Sequence, residues 1–309
     1  MTVKYWECID AGSDYCPCYL AESNDCITCT HLQNKNYCDC NWRGVCIYQE
    51  FKFLNEQRKS TRIPHEVAIV SRVDITPNLK VFKLKVNDYL IRHLKQPGAY
   101  IFVRNKSKDQ YFDIPISIMN VESASGLIDI AIEIHGVKTK SLKDDSESLL
   151  IKAPYWNGII GIQHLKSLAG GRCLIVARGI AQAPAVLLIQ HLRQHNNTVD
   201  VILDTGSIKH DFISHYTDAN LISTVDLYSE QGKSVIQQAI AKHEYQLSFI
   251  GGSDYLQKQI LEVSNFHNIN LVTTNNHHMC CGEGICGACT IYDIAGNAIK
   301  TCKSQLVHH

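Results

Sequence analysis

The sequence predicts a multi-domain chain: an antiparallel β-barrel, an α/β doubly wound parallel-sheet domain, a C-terminal cysteine hairpin and a small N-terminal cysteine-rich module. Three observations predict it. Between residues 64 and 158, short β-branched segments alternate with turn signals. From Gly170 onward, short apolar strands alternate instead with helix-length segments. The cysteines gather at the two ends, eight of the fourteen before residue 47 and five after residue 279.

With 309 residues, 45% of them hydrophobic, the chain can bury real cores in about two to three domains. Lys plus Arg and Asp plus Glu both number 30, so net charge favours neither a nucleic-acid nor a membrane-surface partner. The opening MTVKYWECIDAGSDYC lacks the basic and apolar regions of a signal peptide. No apolar run approaches the ~18 residues that span a bilayer, so the chain reads as cytoplasmic. In that reducing compartment, metal or redox use explains the cysteines better than a disulfide framework.

Residues 1–55 form the first module. Cys8, Cys16, Cys18, Cys26, Cys29, Cys38, Cys40 and Cys46 lie in CPC, CITC and CDC clusters separated by polar stretches too poor in aliphatics to build a core. A segment this small needs staples, and thiolate–metal bonds supply folding energy. Zinc and a second iron–sulfur cluster fit equally, and eight thiols divide in many ways. Trp6, Trp42, Tyr15, Tyr19, Tyr37 and Tyr48 either shield the site or form packing surface. Phe51 to Ile63 reads as a linker or short helix.

The barrel occupies residues 64–158, with strands expected at Glu66 to Val73, Leu79 to Val86, Ala99 to Arg104, Ile114 to Val121, Leu127 to Ile134 and Leu149 to Ala153. Turns fall at Pro77-Asn78, Gln96-Pro97-Gly98, Ser125-Gly126 and Asp144-Asp145. Six short strands argue for closure into a barrel. The α/β domain, residues 165–273, has strands expected at Cys173 to Ala177, Val199 to Leu203, Leu221 to Leu227, Leu247 to Ile250 and Asn270 to Thr273. Helices fall at Gln182 to Arg193, Ser234 to Lys242 and Ser253 to Asn265; Pro184 is tolerated in the first turn of its helix.

Residues 274–309 carry the sharpest motif. Cys281, Cys286, Cys289 and Cys302 read C-x4-C-x2-C-x12-C, the plant-type spacing for a 2Fe-2S cluster. Three ligands in one loop require a tight backbone. Gly282, Gly284 and Gly287 permit it because glycine tolerates positive φ and brings no Cβ. The fourth ligand lies across a hairpin, with strands Thr290 to Ile294 and Ala298 to Cys302 around a turn at Ala295-Gly296-Asn297. Four cysteines also suit structural zinc, though zinc sites usually pair two C-x2-C arms. Cys280 offers an alternative register to Cys281. His277 and His278 precede the cluster and read as surface; His308 and His309 read as a tail. Lys209, His210 and Asp211 read as a solvated loop. No H-E-x-x-H, G-x-S-x-G or G-x4-G-K-[ST] motif is present.

From about Glu66 to Lys303 the order of elements and motifs resembles the electron-transfer subunit of type B dihydroorotate dehydrogenase, within the ferredoxin NADP reductase superfamily. Its M-x-C-G-x-G-x-C-x-x-C pattern stands as Met279, Cys281, Gly282, Gly284, Cys286 and Cys289. Its R-P-x-S flavin motif becomes Ile114-Pro115-Ile116-Ser117. Its G-x-G-T segment becomes Gly136-Val137-Lys138-Thr139, and its L-G-N-G-F corner becomes Tyr155-Trp156-Asn157-Gly158-Ile159. The glycine-rich nucleotide turn becomes Ala177-Arg178-Gly179-Ile180-Ala181-Gln182-Ala183-Pro184, and the C-G-P motif becomes Gly251-Gly252-Ser253. The N-terminal module lies outside the resemblance.

The resemblance implies FAD held by Pro115, Ile116, Ser117, Ile132, Ile134, Gly136, Lys138, Thr139, Asn157 and Gly158, with NAD(P) at the turn of Gly179. It also implies a separate catalytic oxidoreductase subunit as partner. The departures matter: Ile114 cannot pair with a pyrophosphate as arginine would, so Lys138, Lys140 or backbone amides compensate, or the site takes a smaller flavin. Arg178 either supplies charge or fills the cleft. The expected function is an iron–sulfur flavoprotein relaying electrons between a nicotinamide or partner dehydrogenase, FAD and a 2Fe-2S cluster. The rival readings are a retired reductase scaffold serving as a zinc-stabilised interaction platform, and a redox or iron sensor.

Overall fold

A computed structural model describes residues 4–106, 113–143, 146–263, 266, 268–293 and 296–308. The expected turn at Asp144-Asp145 lies outside the described residues, as do Ile294, Ala295, Asn265 and His309. The chain divides into two compact units, residues 1–64 with 277–309, and residues 65–276. The first and last segments, read from sequence as separate modules, thus belong to one unit.

The first unit begins with strand β1 (Lys4–Cys8), helix α1 (Tyr19–Glu22) and helix α2 (Ile47–Phe53). Its apolar cluster joins Cys16, Cys29, Ala21, Leu32, Ile47 and Phe51, so two cysteines count among its few core side chains. The expected linker therefore starts as a helix whose Ile47 and Phe51, four residues apart, face inward.

In the second unit, the barrel strands are β2 (Pro64–Thr76), β3 (Leu79–Lys85), β4 (Tyr100–Asn105), β5 (Ile114–Ser117), β6 (Asn120–Glu122), β7 (Leu127–Glu133) and β8 (Ser148–Tyr155). They form one sheet in the order β5-β4-β8-β2-β3-β7-β6, an antiparallel half-barrel. The run expected as one strand from Ile114 is bent into β5 and β6. Ile118 N–H donates to Ala99 O beside β4, and Met119 N–H to Asp129 O within β7. The bent run therefore bridges the two sheet edges. Sequence reading missed α3 (Asp88–Leu94), although Asn87 caps it by accepting from Leu90 N–H at 2.9 Å. It also missed the short α4 (Val137–Lys140).

The α/β part contains β9 (Ile159–Ile160), β10 (Arg172–Arg178), α5 (Gln182–Gln194), β11 (Thr198–Asp204), α6 (Phe212–Tyr216) and β12 (Asn220–Thr224). It continues with α7 (Glu230–Lys242), β13 (Leu247–Gly251), α8 (Asp254–Val263) and β14 (Asn270–Thr274). The sheet order is β12-β11-β10-β13-β14-β9, parallel except for β9 on β14. Every strand residue from Cys173 to Ala177 is fully buried, as a parallel sheet covered on both faces requires. The chain then returns to the first unit with hairpin β15 (Thr290–Tyr292) and β16 (Ala298–Lys300), and with β17 (Ser304–His308). Strand β17 pairs antiparallel with β1, Lys4 opposite His308. His308 is therefore strand rather than tail.

Candidate functional site: a switch-point cleft and a cysteine loop

Within residues 65–276, strands β10 and β13 lie side by side although the chain leaves β10 for β11 and β12 on the other side. Such a reversal opens a crevice at the carboxyl ends of the strands, where α/β folds bind ligands. A cleft of about 510 Å³ lies there, within the range of small-molecule sites. Its wall brings together β5 residues Ile114, Pro115, Ile116 and Ser117, Ile132 of β7, Thr139, Gly158, Gly179, Gly252 and Ser253.

Gly179 and Gly252 follow the two strands at the switch point. At Gly179 φ is +57°, and an added Cβ would meet nothing within 4 Å, so this turn faces open space. Arg178 lines the same wall, its Nε donating to Asp204 Oδ2 at 2.8 Å and its guanidinium 4.7 Å from the Tyr228 ring centre. Asp204 also accepts from Gly206 N–H and Leu227 N–H, which fixes the arginine's partner.

Other expected residues stand elsewhere. Ile134 is buried and its N–H donates to Asn78 O; Gly136 begins α4; Lys138 lies exposed on it. Asn157 is fully buried, its carbonyl accepting from Asn275 Nδ2. Thr139 lines the cleft, but its hydroxyl also accepts from His135 and Gly136 N–H, a capping role. The Lys209–Asp211 loop is structural: Asp211 caps α6, and fully buried Gln182 joins His210 O to Phe212 N–H. Sequence reading missed Glu133, His135, Ser207 and Asn276, polar residues of the wall. Glu133 and His135 sit together at the end of β7, 2.9 Å apart, whereas Ser207 and Asn276 come from loops far along the chain, and no motif marks any of them.

In the first unit, the C-terminal cysteines converge. Cys289 and Cys302 flank the β15–β16 hairpin with sulfurs 3.2 Å apart, and Thr301 ties the hairpin base by donating from both N–H and hydroxyl to Cys289 O. Gly282, Gly284 and Gly287 have φ of +68°, +77° and +77°, the left-handed turns anticipated for the loop. Glu283 N–H points at Cys281 Sγ at 3.3 Å. The Cys281 thiol is held below the usual thiol range, first by its hydrogen bond with Cys302 and then by N–H groups of Cys286 and Glu283. Cys302 is pushed up by the same bonds to Cys281 and Cys289 and by burial. The donor set suits a thiolate-held cluster in type and convergence. Its spacing is that of thiols in mutual contact, and among the described residues no group of three or more His, Cys, Asp or Glu is arranged to hold a single metal ion. His277 and His278 are exposed.

The cysteine loop is tied to the N-terminal segment by buried ions that sequence reading did not find. Arg62 reaches both oxygens of Asp10 at 3.0 Å and Glu283 at 3.3 Å; Lys303 pairs with Asp10 and, at 3.1 Å, with Glu283. The side chains of Arg62 and Lys303 are 0% and 1% exposed. Burial disfavours the charged Lys303, yet attraction to Asp10 and Glu283 outweighs it and holds the ammonium well above its ordinary range. Burial likewise opposes ionisation of Asp10, and Lys303 and Arg62 outweigh it, so that carboxyl lies below its ordinary range. Two cations against two carboxylates satisfy the requirement that buried charges be paired.

Half-barrel, switch-point sheet and cleft together define a ferredoxin-reductase-like fold. The structure of an NADH-dependent reduced ferredoxin-NADP oxidoreductase, described for flavin-based electron bifurcation, shares it at a TM-score of 0.64 and 17% identity, over 78% of this chain and 87% of that one. No family model matches the sequence. Among curated proteins, the electron transfer subunit of dihydroorotate dehydrogenase B (NAD(+)) from Clostridium perfringens is 25% identical over 223 residues, 69% of this chain and 86% of its own length. The same subunit from Desulforamulus reducens is 24% identical over 225 residues, covering 70% and 84%. The chain is thus a divergent relative of these electron-transfer subunits, as its motifs suggested. Among the described residues no helix is long and apolar enough to cross a membrane.

Proposed function

We propose that this chain is the electron-transfer subunit of an oxidoreductase, holding FAD in the switch-point cleft and a 2Fe-2S cluster on Cys281, Cys286, Cys289 and Cys302. The observation that carries the reading is the cleft itself, where the flavin-motif residues Pro115, Ile116 and Ser117 face the two strand-end turns at Gly179 and Gly252. Bound flavin would take two electrons with a hydride from a nicotinamide and release them singly, the form a two-iron cluster accepts.

The residues divide the work. Ser117 supplies a hydroxyl and Ile116 and Ile132 apolar wall. Gly179 leaves room for a nucleotide to approach the backbone of its turn. Arg178, already oriented by Asp204, supplies from the nucleotide side the positive charge that Ile114 withholds from the flavin motif. Backbone N–H groups aimed at Cys281 favour thiolate over thiol, the state in which cysteine binds metal. The related subunits belong by name to dihydroorotate dehydrogenase B (NAD(+)), so a separate catalytic chain and NAD are the expected partner and donor or acceptor.

Anaerobic purification followed by a visible spectrum and flavin, iron, sulfide and zinc assays tests this. Flavin with iron and sulfide is expected, and NADH should bleach the flavin band. Cys289→Ser should abolish the cluster spectrum while leaving flavin bound. A colourless, zinc-only protein overturns the reading in favour of an interaction platform.

A further inference from the structure

The half-barrel wall of the cleft has lost the arginine of the flavin motif, and buried Ile114 offers no charge in its place. Lys138 and Lys140 are exposed on α4, and neither lines the cleft. The amides of His135 and Gly136 are already engaged, donating to Thr139 Oγ1 at 3.0 and 3.2 Å. Among the described residues two basic side chains line the cleft, Arg178 and His135. Arg178 stands on the α/β wall at the end of β10, whereas His135 stands on the half-barrel wall just past the end of β7.

His135 is held in one orientation. Its Nε2 lies 2.9 Å from Glu133 Oε1, and the same oxygen accepts from Ser207 Oγ at 2.7 Å. Ser207 follows β11, so the carboxylate is fixed from both walls of the cleft. The Glu133 side chain is 13% exposed and the His135 side chain 70%, so the acid is sheltered while the ring reaches out from it. With Nε2 occupied, Nδ1 is the ring nitrogen left for a ligand. Thr139 fixes the backbone beneath the ring, and an added Cβ at Gly136 would meet nothing within 4 Å, so open space adjoins it. A doubly protonated ring donates from both nitrogens, one to Glu133 and one to an anion, and a neighbouring phosphate favours that charged form.

We propose that His135, oriented by Glu133, is the phosphate-binding side chain of the half-barrel wall and takes the place of the missing flavin-motif arginine. The inference rests on the flavin reading above and adds to it the side chain that selects a phosphorylated flavin. An imidazole offers one free donor where a guanidinium offers a fork, so it distinguishes phosphate from no phosphate and serves FMN as well as FAD.

The test frees the full chain of flavin and titrates it calorimetrically with FAD, FMN and riboflavin, which has the same ring system and no phosphate. His135→Ala should weaken FAD and FMN about tenfold or more, the scale of a lost hydrogen bond to a charged group, and leave riboflavin unchanged. His135→Arg should restore the preference for the phosphorylated flavins. Glu133→Gln keeps an acceptor for Nε2 but removes the charge that favours the doubly protonated ring, so it should reduce the preference by less than His135→Ala does. Equal weakening of all three flavins in His135→Ala would make the residue structural and overturn the proposal. Tighter FAD binding in Glu133→Gln would overturn it too, because the carboxylate would then be repelling the phosphate. So would loss of the preference in Lys138→Ala but not in His135→Ala. Unchanged FAD affinity in His135→Ala sinks this inference and leaves the flavin reading standing, whereas wild-type protein that binds no flavin sinks both.

Discussion

The unit spanning residues 65–276 is packed on a large, mostly aliphatic core, and its β10 is buried over five consecutive residues. The unit built from the two chain ends has an apolar cluster of six residues, two of them cysteine, and closes by pairing Lys4 with His308 and Asp10 with Lys303 across 293 positions. One region is packed on a large aliphatic core, whereas the other combines a small apolar cluster with a network of paired buried charges. A region of the second kind breaks when a single partner is removed, because the remaining charge has no water to turn to.

The largest expected effect follows from that asymmetry. Lys303→Met leaves Asp10 and Glu283 with Arg62 alone, and loss of one partner from a buried ionic group costs about 3–5 kcal/mol. Hydrogen exchange should quicken in β1, β17 and the cysteine loop, with β10, β11 and β13 unchanged. Equal loosening of those three strands would erase the contrast between the units. The reciprocal change, Ile175→Ala at a fully buried site, should cost about 2–5 kcal/mol and loosen the parallel sheet only.

Acid and alkali sharpen the comparison without mutation. Asp10 ionises more readily folded than unfolded, so its contribution is present above the ordinary carboxylate pKa of about 3.9 and is lost as pH falls through the lower folded value. Lys303 has the opposite sign: its contribution is complete below the ordinary lysine pKa of about 10.4 and is lost as pH rises through the higher folded value. A pH series of hydrogen exchange should therefore show β1 and β17 opening at both extremes before β13 does. Simultaneous opening would mean that the ion cluster does not control the first unit.

What could be read from the sequence follows the same division. Alternation of period two located β2, β3, β4, β7 and β8 to within two or three residues at each end, and the change of period at Gly170 located the parallel sheet. The cysteine spacing, with its glycines, located the C-terminal loop. Short helices such as α3 and α6 escaped because five to seven residues give too little periodicity to register. The pairing of β1 with β17 and the Asp10–Arg62–Glu283–Lys303 cluster escaped for a deeper reason: each member is an ordinary polar or strand residue locally, and only closure of the chain brings them together. In the cleft, the flavin and nucleotide motifs identified the wall through Ser117 and Gly179, whereas Ser207 and Asn276 carried no motif to find them.

The smallest effect expected separates the fold of the second unit from its use. Gly179 sits at φ +57°, and the space around it is open, so Gly179→Ala meets no atom and incurs only the left-handed backbone penalty, about 1 kcal/mol. Thermal unfolding should therefore shift by only a few degrees. Binding at the switch point should fall further than stability does, because the new methyl group occupies the space through which a nucleotide reaches the turn amides. Titration of the purified protein with NADH, read by flavin bleaching, separates the two. A stability loss with unchanged titration would mean that Gly179 serves the turn alone and that the nucleotide approaches from the Gly252 side.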